Sequence, residues 1–393
     1  MAPPPLSFLV FVAVLSAVAA AAHLYAWRRL VRDVLPPGRR RTGATLVLVT
    51  LAATVPVGFS LWRWLGADAA RPFSWAGAAW AGVLFLLVVV LGVLDVARTV
   101  AARARPRRSE APVDAGRRRF LARTLAGVAG ATTAGAAATA LAQGAAAPEI
   151  VRVRVPIRGL PPAFDGFSIA HLSDVHVGPI LHRAFLEDVV ARTNALDPDL
   201  VAITGDLVDG SVEDLADVVA PLASLRARHG VWFTTGNHEY YMGADAWLAH
   251  LATLGVRPLR NERTTVERDG AAIDVAGVDD ASAHRFGGGH GADPDRALAG
   301  RVPGRPVVML AHQPKQVHDA RRLGVDLVLA GHTHGGQIAP FGWLVRLAQP
   351  AVAGLHRFGD TWLYVSRGVG TWGPPMRLCN PAEIALVTLV PEA

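Results

Sequence analysis

The chain has 393 residues, enough for two domains, and its net charge of +7 is unevenly spread: residues 1–147 hold 17 of the 39 basic residues but only 5 of the 32 acidic ones. The basic excess therefore belongs to the N-terminal third, and the acidic remainder excludes a basic nucleic-acid-binding face on the C-terminal unit. The single cysteine, Cys379, excludes an intramolecular disulfide and a thiolate metal cluster.

Three uncharged apolar stretches come first: Leu6 to Trp27, Thr42 to Trp62, and Trp75 to Leu94. Each is about 20 residues, enough to cross a hydrocarbon core of roughly 30 Å as a helix. Residues 1–97 are thus expected to form three transmembrane helices, with Trp27, Trp62, Trp64 and Trp75 as interfacial anchors. Arginine distribution sets the orientation. Arg28, Arg29, Arg32, Arg39, Arg40 and Arg41 crowd the first connection, and eight arginines crowd the third, while the second, around Ala67 to Ser74, has only Arg71 beyond the neighbouring Arg63. The positive-inside rule puts the first and third connections in the cytoplasm and the N-terminus outside.

Residues 98–123 read as a basic cytoplasmic loop. Within it Gly116-Arg117-Arg118-Arg119-Phe120-Leu121 resembles the twin-arginine export signal of bacteria, which implies the export machinery as a partner. Residues 124–147 form a fourth apolar segment, weakly hydrophobic and rich in Ala, that fits such a signal or a fourth transmembrane helix; the competing reading is a flexible linker. Ala145-Ala146-Ala147 has the small-residue pattern of a cleavage site. A fourth crossing places everything after it outside the cytoplasm.

Residues 148–393 read as an α/β domain. Ile150–Pro156 alternates apolar and Arg residues, as a strand with one wet face does. Apolar runs at 167–172, 200–203, 231–234, 307–310 and 326–330 each lead into polar residues. Helix-like segments at 181–195, 212–228 and 244–254 lie between them. Strand, loop and helix in repetition indicate a sheet whose ligands collect at the C-terminal strand ends. Later strands at 273–278, 362–366 and 384–390 suggest a second, more antiparallel sheet.

The polar residues at those strand ends form a series: Asp174-Val175-His176, Gly205-Asp206-Leu207-Val208-Asp209, Gly236-Asn237-His238-Glu239, His312, and Gly331-His332-Thr333-His334. All are oxygen or imidazole donors, a mixture that suits Mn, Fe or Zn better than Ca or Mg. Gly205, Gly236 and Gly331 each precede a candidate ligand, as expected where a turn needs backbone angles that glycine adopts at little cost. His171 reads as a packed imidazole, and Gly287-Gly288-Gly289 as a flexible loop lacking the strand-to-helix context of a phosphate cradle.

In order and spacing this series resembles the calcineurin-like metallophosphoesterases. The resemblance implies a four-layer α/β sandwich, two mixed sheets flanked by helices, holding two divalent metal ions. Carried over residue by residue, it implies that Asp174, His176 and His334 bind one ion, that Asn237, His312 and His332 bind the other, and that Asp206 bridges them. It also implies His238 as proton donor to the leaving group or stabiliser of the charge developing on it, with Glu239 a candidate to orient it or hold it cationic. Asp209 reads as a supporting or helix-capping residue rather than a ligand. The tail from Ser366 to Arg377 and the Gly335-Gly336-Gln337 run resemble the bacterial envelope branch, which includes UDP-diacylglucosamine hydrolase-like phosphodiesterases. Arg367 or Arg377 would then meet a substrate phosphate. The expected activity is hydrolysis of a lipid- or nucleotide-linked phosphoester by a membrane-anchored, extracytoplasmic enzyme. The rival is a non-catalytic membrane receptor or scaffold that retains the metal-binding fold.

Overall fold

The computed structural model describes residues 6–61, 65–104 and 115–392. The expectations for Trp62, Arg63 and Trp64, and for the part of the basic loop at 105–114, lie outside the described residues. Two compact units divide the chain: Met1–Gln143 with Gly373–Met376, and Gly144–Trp372 with Arg377–Ala393.

The first unit is helical, with helices Leu6–Trp27, Arg39–Ser60, Ala67–Arg103 and Ala115–Ala145. The last three are long and apolar enough to cross a membrane. Their bounds depart from the apolar stretches. Ala67–Ser74, expected as a connection, is helical, and Arg98–Arg103 and Ala115–Arg123 extend the flanking helices into the expected basic loop. Hydropathy marks where an apolar run ends, but Ala and Arg are strong helix formers and the backbone does not turn there. Asp95 accordingly lies within a helix rather than at its end, accepting a hydrogen bond from the Tyr25 hydroxyl at 2.7 Å and pairing with Arg29 at 2.8 Å. Trp80 Nε1 donates to His23 Nε2 at 2.9 Å, a second polar tie between helices.

The second unit contains twelve strands in two six-stranded sheets. The first sheet has the order β1 (Glu149–Ile157), β12 (Glu383–Pro391), β2 (Ser168–Leu172), β3 (Leu200–Thr204), β4 (Val231–Thr234), β5 (Val256–Pro258). The second has β10 (Gly354–Phe358), β11 (Thr361–Val365), β9 (Leu327–Ala330), β8 (Val307–Leu310), β7 (Ala271–Gly277), β6 (Glu262–Arg268). The second sheet is antiparallel only at its edges, β10 with β11 and β6 with β7; its centre is parallel. As expected, it is thus more antiparallel than the first sheet, where β12 with β2 is the antiparallel pair.

Alternation along the strands builds the layers. In β3, Leu200 and Ala202 face the other sheet, where they meet Val308, Leu310, Leu327 and Leu329 in one core. Val201 and Ile203 point the opposite way, onto Leu186, Val190, Leu215 and Trp247 of the helices Arg183–Asn194, Val212–Val219 and Ala244–Thr253. Val307, Met309 and Val328 likewise pack outward, against Ala297 and the helix Val317–Arg322. Helix, sheet, sheet, helix is the resulting order of layers. With both faces covered, the central strands read as unbroken apolar runs. The helix expected to reach residue 228 stops at Val219, because Pro221 lacks the N–H that would continue it and instead begins a 3-10 turn, Ala220–Ser224.

Candidate metal centre

Five parallel strands deliver the site. β2 is followed by Asp174 and His176, β3 by Asp206 and Asp209, and β4 by Asn237, His238 and Glu239 in the first turn of the helix Asn237–Met242. From the second sheet β8 is followed by His312, and β9 by His332 and His334. The strand ends of both sheets thus converge on one place.

The backbone there is unusual at the functional side chains themselves. Asp174, His176, Asp206, His332 and His334 all adopt left-handed φ, between 50° and 69°. Such angles cost a non-glycine residue on the order of 1–3 kcal/mol and persist where surrounding structure enforces them. Of the three preceding glycines only Gly205 has positive φ, 82°. Gly236 and Gly331 are required for a different reason: a Cβ at Gly236 would run into Asp206, and one at Gly331 into Ser173 and Asp174. Close approach of two loops, not backbone freedom, fixes glycine at those positions.

Donor atoms crowd together in this pocket. Asp174, His176 and His334 form one group that can hold a cation, and Asp206, His312 and His332 form another. His176 Nε2 lies 3.1 Å from His334 Nε2, and His312 Nε2 lies 3.1 Å from both His332 Nδ1 and Asp206 Oδ2. A third group, His176, Asp206 and His238, joins the two. The far sides of the rings are tied down: His312 Nδ1 meets the Thr204 carbonyl at 2.7 Å, and Asp209 Oδ1 contacts His176 Nδ1 at 3.0 Å and His238 Nδ1 at 2.6 Å. Holding one ring nitrogen aims the other inward, as in the outer shell of a metal site.

Burial and charge set the protonation states. Burial pulls His334 well below the ordinary imidazole range, and burial together with His312 lowers His332 to about 4, so both offer neutral lone pairs. Asp206 is pushed up by burial, but His312, His238 and His176 override this and hold it well below the usual carboxylate range. His238 is pulled down by burial, yet the carboxylates of Asp206 and Asp209 prevail and raise it to about 9. Asn237 Oδ1 is buried and has no hydrogen-bond partner. The ionised Asp206 carboxylate, the neutral His332 and His334 and the orphaned Asn237 oxygen are in the forms that bind a cation. Burial pulls His312 down, but Asp206 and Asp174 prevail and hold it well above the ordinary range, so a metal would take the place of its proton. With that exchange the residues fit a divalent ion.

The remaining candidates fall elsewhere. Glu239 adds its charge to those of Asp206 and Asp209 in raising His238, while its carboxylate oxygens are bonded elsewhere. It accepts from the backbone N–H groups of Asp206 (3.0 Å), Leu207 (2.8 Å) and Gly236 (2.6 Å), pinning the two loops to one another. The partner of His238 is Asp209, which the sequence marked only as a supporting residue. Arg377 is fully buried and donates to the carbonyls of Arg367, Gly368, Gly370 and Asn380, so it shapes the tail rather than meeting a phosphate. Arg367 pairs with Glu383 at 2.5 Å and Glu149 at 3.2 Å, engaged away from a substrate role. The Thr204 carbonyl was illegible as a site group, because a main-chain acceptor leaves no trace in residue type.

Residues 167–336 match the family model described as calcineurin-like phosphoesterase. A transmembrane protein with metallophosphoesterase domain from Bos taurus is 42% identical over 253 residues, covering 62% of this chain and 57% of its own length. An uncharacterized metallophosphoesterase of Helicobacter pylori is 42% identical over 223 residues, 56% of this chain and 59% of that protein. Another uncharacterized metallophosphoesterase, from Aquifex aeolicus, is 35% identical over 223 residues, 56% of this chain and 84% of that protein. The chain spans well under two thirds of the length of the bovine and Helicobacter relatives.

Proposed function

Because this chain belongs to the calcineurin-like phosphoesterase family, we propose that its C-terminal unit is a metal-dependent hydrolase acting on a phosphomonoester, phosphodiester or pyrophosphate bond. The observation that carries this reading is the convergence, from strand ends in both sheets, of Asp174, His176, Asp206, His312, His332 and His334 in groups whose donor atoms lie within 4.8 Å of one another, with the buried, unpartnered Oδ1 of Asn237 following β4. Asp174, His176 and His334 would hold one divalent ion, Asn237, His312 and His332 the second, and Asp206 would give an oxygen to each. Bound there, such ions supply Lewis acidity to the phosphoryl group and lower the pKa of water. Mn, Fe and Zn suit the mixed carboxylate, amide and imidazole set.

The chain's own residues do the rest. His238, kept cationic by Asp206 and Asp209, carries a proton on Nε2 that it can give to the departing oxygen. Asp209 holds that ring by Nδ1, and the Asp206 carboxylate accepts the His238 backbone N–H at 2.9 Å, which sets the position of the acid relative to the bridging group. Substrate access at a membrane surface is supported by the apolar helices and by the relatives named as transmembrane proteins. The arginine distribution and the twin-arginine-like motif support an extracytoplasmic catalytic unit on a multi-pass anchor, acting on a lipid- or nucleotide-linked phosphoester of the cell envelope.

The purified full chain should hydrolyse an aryl phosphodiester, lose that activity to a chelator and regain it with Mn. Asp206→Asn should lower bound metal and turnover together. Absence of turnover with Mn, Fe and Zn alike would defeat the proposal.

A further inference from the structure

Beside His238 stands a row of aromatic rings that the metal chemistry does not use. Tyr241, one helical turn on, lies 5.4 Å from the His238 ring at 72°, and Trp372 lies 6.0 Å from it at 80°. Phe286 continues the row, 5.5 Å from Tyr241 and stacked at 5.6 Å on Tyr240. These rings are open to solvent, at 56% exposure for Tyr241, 44% for Trp372 and 40% for Phe286. The main chain of Trp372 is tied down: the Gln337 side chain accepts its backbone N–H at 3.0 Å and donates to its backbone carbonyl at 3.1 Å. Phe286 precedes Gly287, Gly288 and Gly289, all with left-handed φ, a segment able to reposition the ring. Large aromatic faces left in water around a buried acid mark a place where a ligand covers them.

The geometry points to an aromatic collar, Tyr241, Phe286 and Trp372, that receives the substrate's leaving group by stacking, so that the preferred leaving group carries a planar aromatic or heteroaromatic ring of the nucleobase kind. This rests on the phosphoesterase reading, with His238 on the leaving-group side. It selects the nucleotide-linked class over a purely aliphatic lipid ester. Every base presents a π-face, so the collar sets the class without reading base identity.

Benzylphosphonate and cyclohexylmethylphosphonate match in charge and closely in size, and differ in the π-face. On the metal-loaded full chain in detergent, calorimetric titration should show benzylphosphonate binding roughly five-fold tighter. Tyr241→Leu and Trp372→Leu, each checked for retained metal, should bring that ratio close to one. Equal affinities in the unaltered protein, or binding of neither ligand, overturn the collar. So does preference for the saturated ring, which indicates an acyl chain instead. Failure of the underlying phosphoesterase reading looks different: no hydrolysis of an aryl phosphodiester with any of the three metals.

Discussion

Asp209 illustrates how much a single carboxylate decides at this site. One of its oxygens touches two imidazoles, and through His238 it helps hold a proton that burial alone would expel. If His238 donates in its charged form, activity should fall on the alkaline side; bound ions would take up the Asp206 charge that helps raise the ring to about 9, so the limb should lie below that value, with Asp209 left as the carboxylate in contact with the ring. Asp209→Asn removes one of the three carboxylate charges that raise this group, and the one in contact with the ring, so the alkaline limb of the pH–rate profile should move to lower pH and turnover should drop by about two decades. An unmoved limb would separate Asp209 from the acid. His171 works in the opposite sense. Burial lowers it to about 3 from 6.5, and its Nε2 meets Thr204 Oγ1 at 2.8 Å. Between those pH values the unfolded chain binds a proton that the folded chain refuses. Its contribution is therefore complete above 6.5 and lost as pH falls, by about 1.4 kcal/mol per unit. His171→Gln should flatten that part of the stability profile measured by denaturant titration on chelated protein. Both positions were visible in the sequence as residue types near a motif, but their partners lie about 30 residues away, across a loop or on a neighbouring strand.

At the level of elements, the strand-loop-helix repeat was legible because each central strand is apolar on both faces and ends abruptly at polar residues. β4 and β8 begin and end where their apolar runs do. Short edge strands such as β5 and β10 were missed, since three to five half-exposed residues carry little periodicity. The turns were partly misread: glycine at 236 serves contact with Asp206 rather than an unusual angle, its φ being an ordinary −99°. Gly236→Ala should consequently lower stability by about 1–3 kcal/mol through overpacking and reduce metal content with it. Thermal denaturation and metal analysis check this, and an unchanged melting temperature would show that the two loops can part. The helix ending at Val219 carried its own signal in Pro221, overridden in the sequence reading by a longer apolar pattern.

For the whole molecule, the division into a basic, helical first unit and an acidic second unit that carries the candidate metal centre follows from where arginine and apolar residues fall. Topology can be tested directly. Reporters fused after residue 393, one active only in the cytoplasm and one only outside, should give signal outside alone, and replacing Arg117 and Arg118 by Lys should abolish it. Signal from the cytoplasmic reporter alone would return residues 124–147 to a role as linker. The sequence by itself determined the chemistry on offer, because a metal cage needs particular donor atoms and those are written in residue type and spacing. Only the tertiary structure decided which donors meet. His312 and His332 come from a different sheet than Asp206, and nothing local in a chain records that two sheets will close face to face. That closure follows from burial of the shared apolar layer, and burial is non-directional until side-chain packing makes it specific.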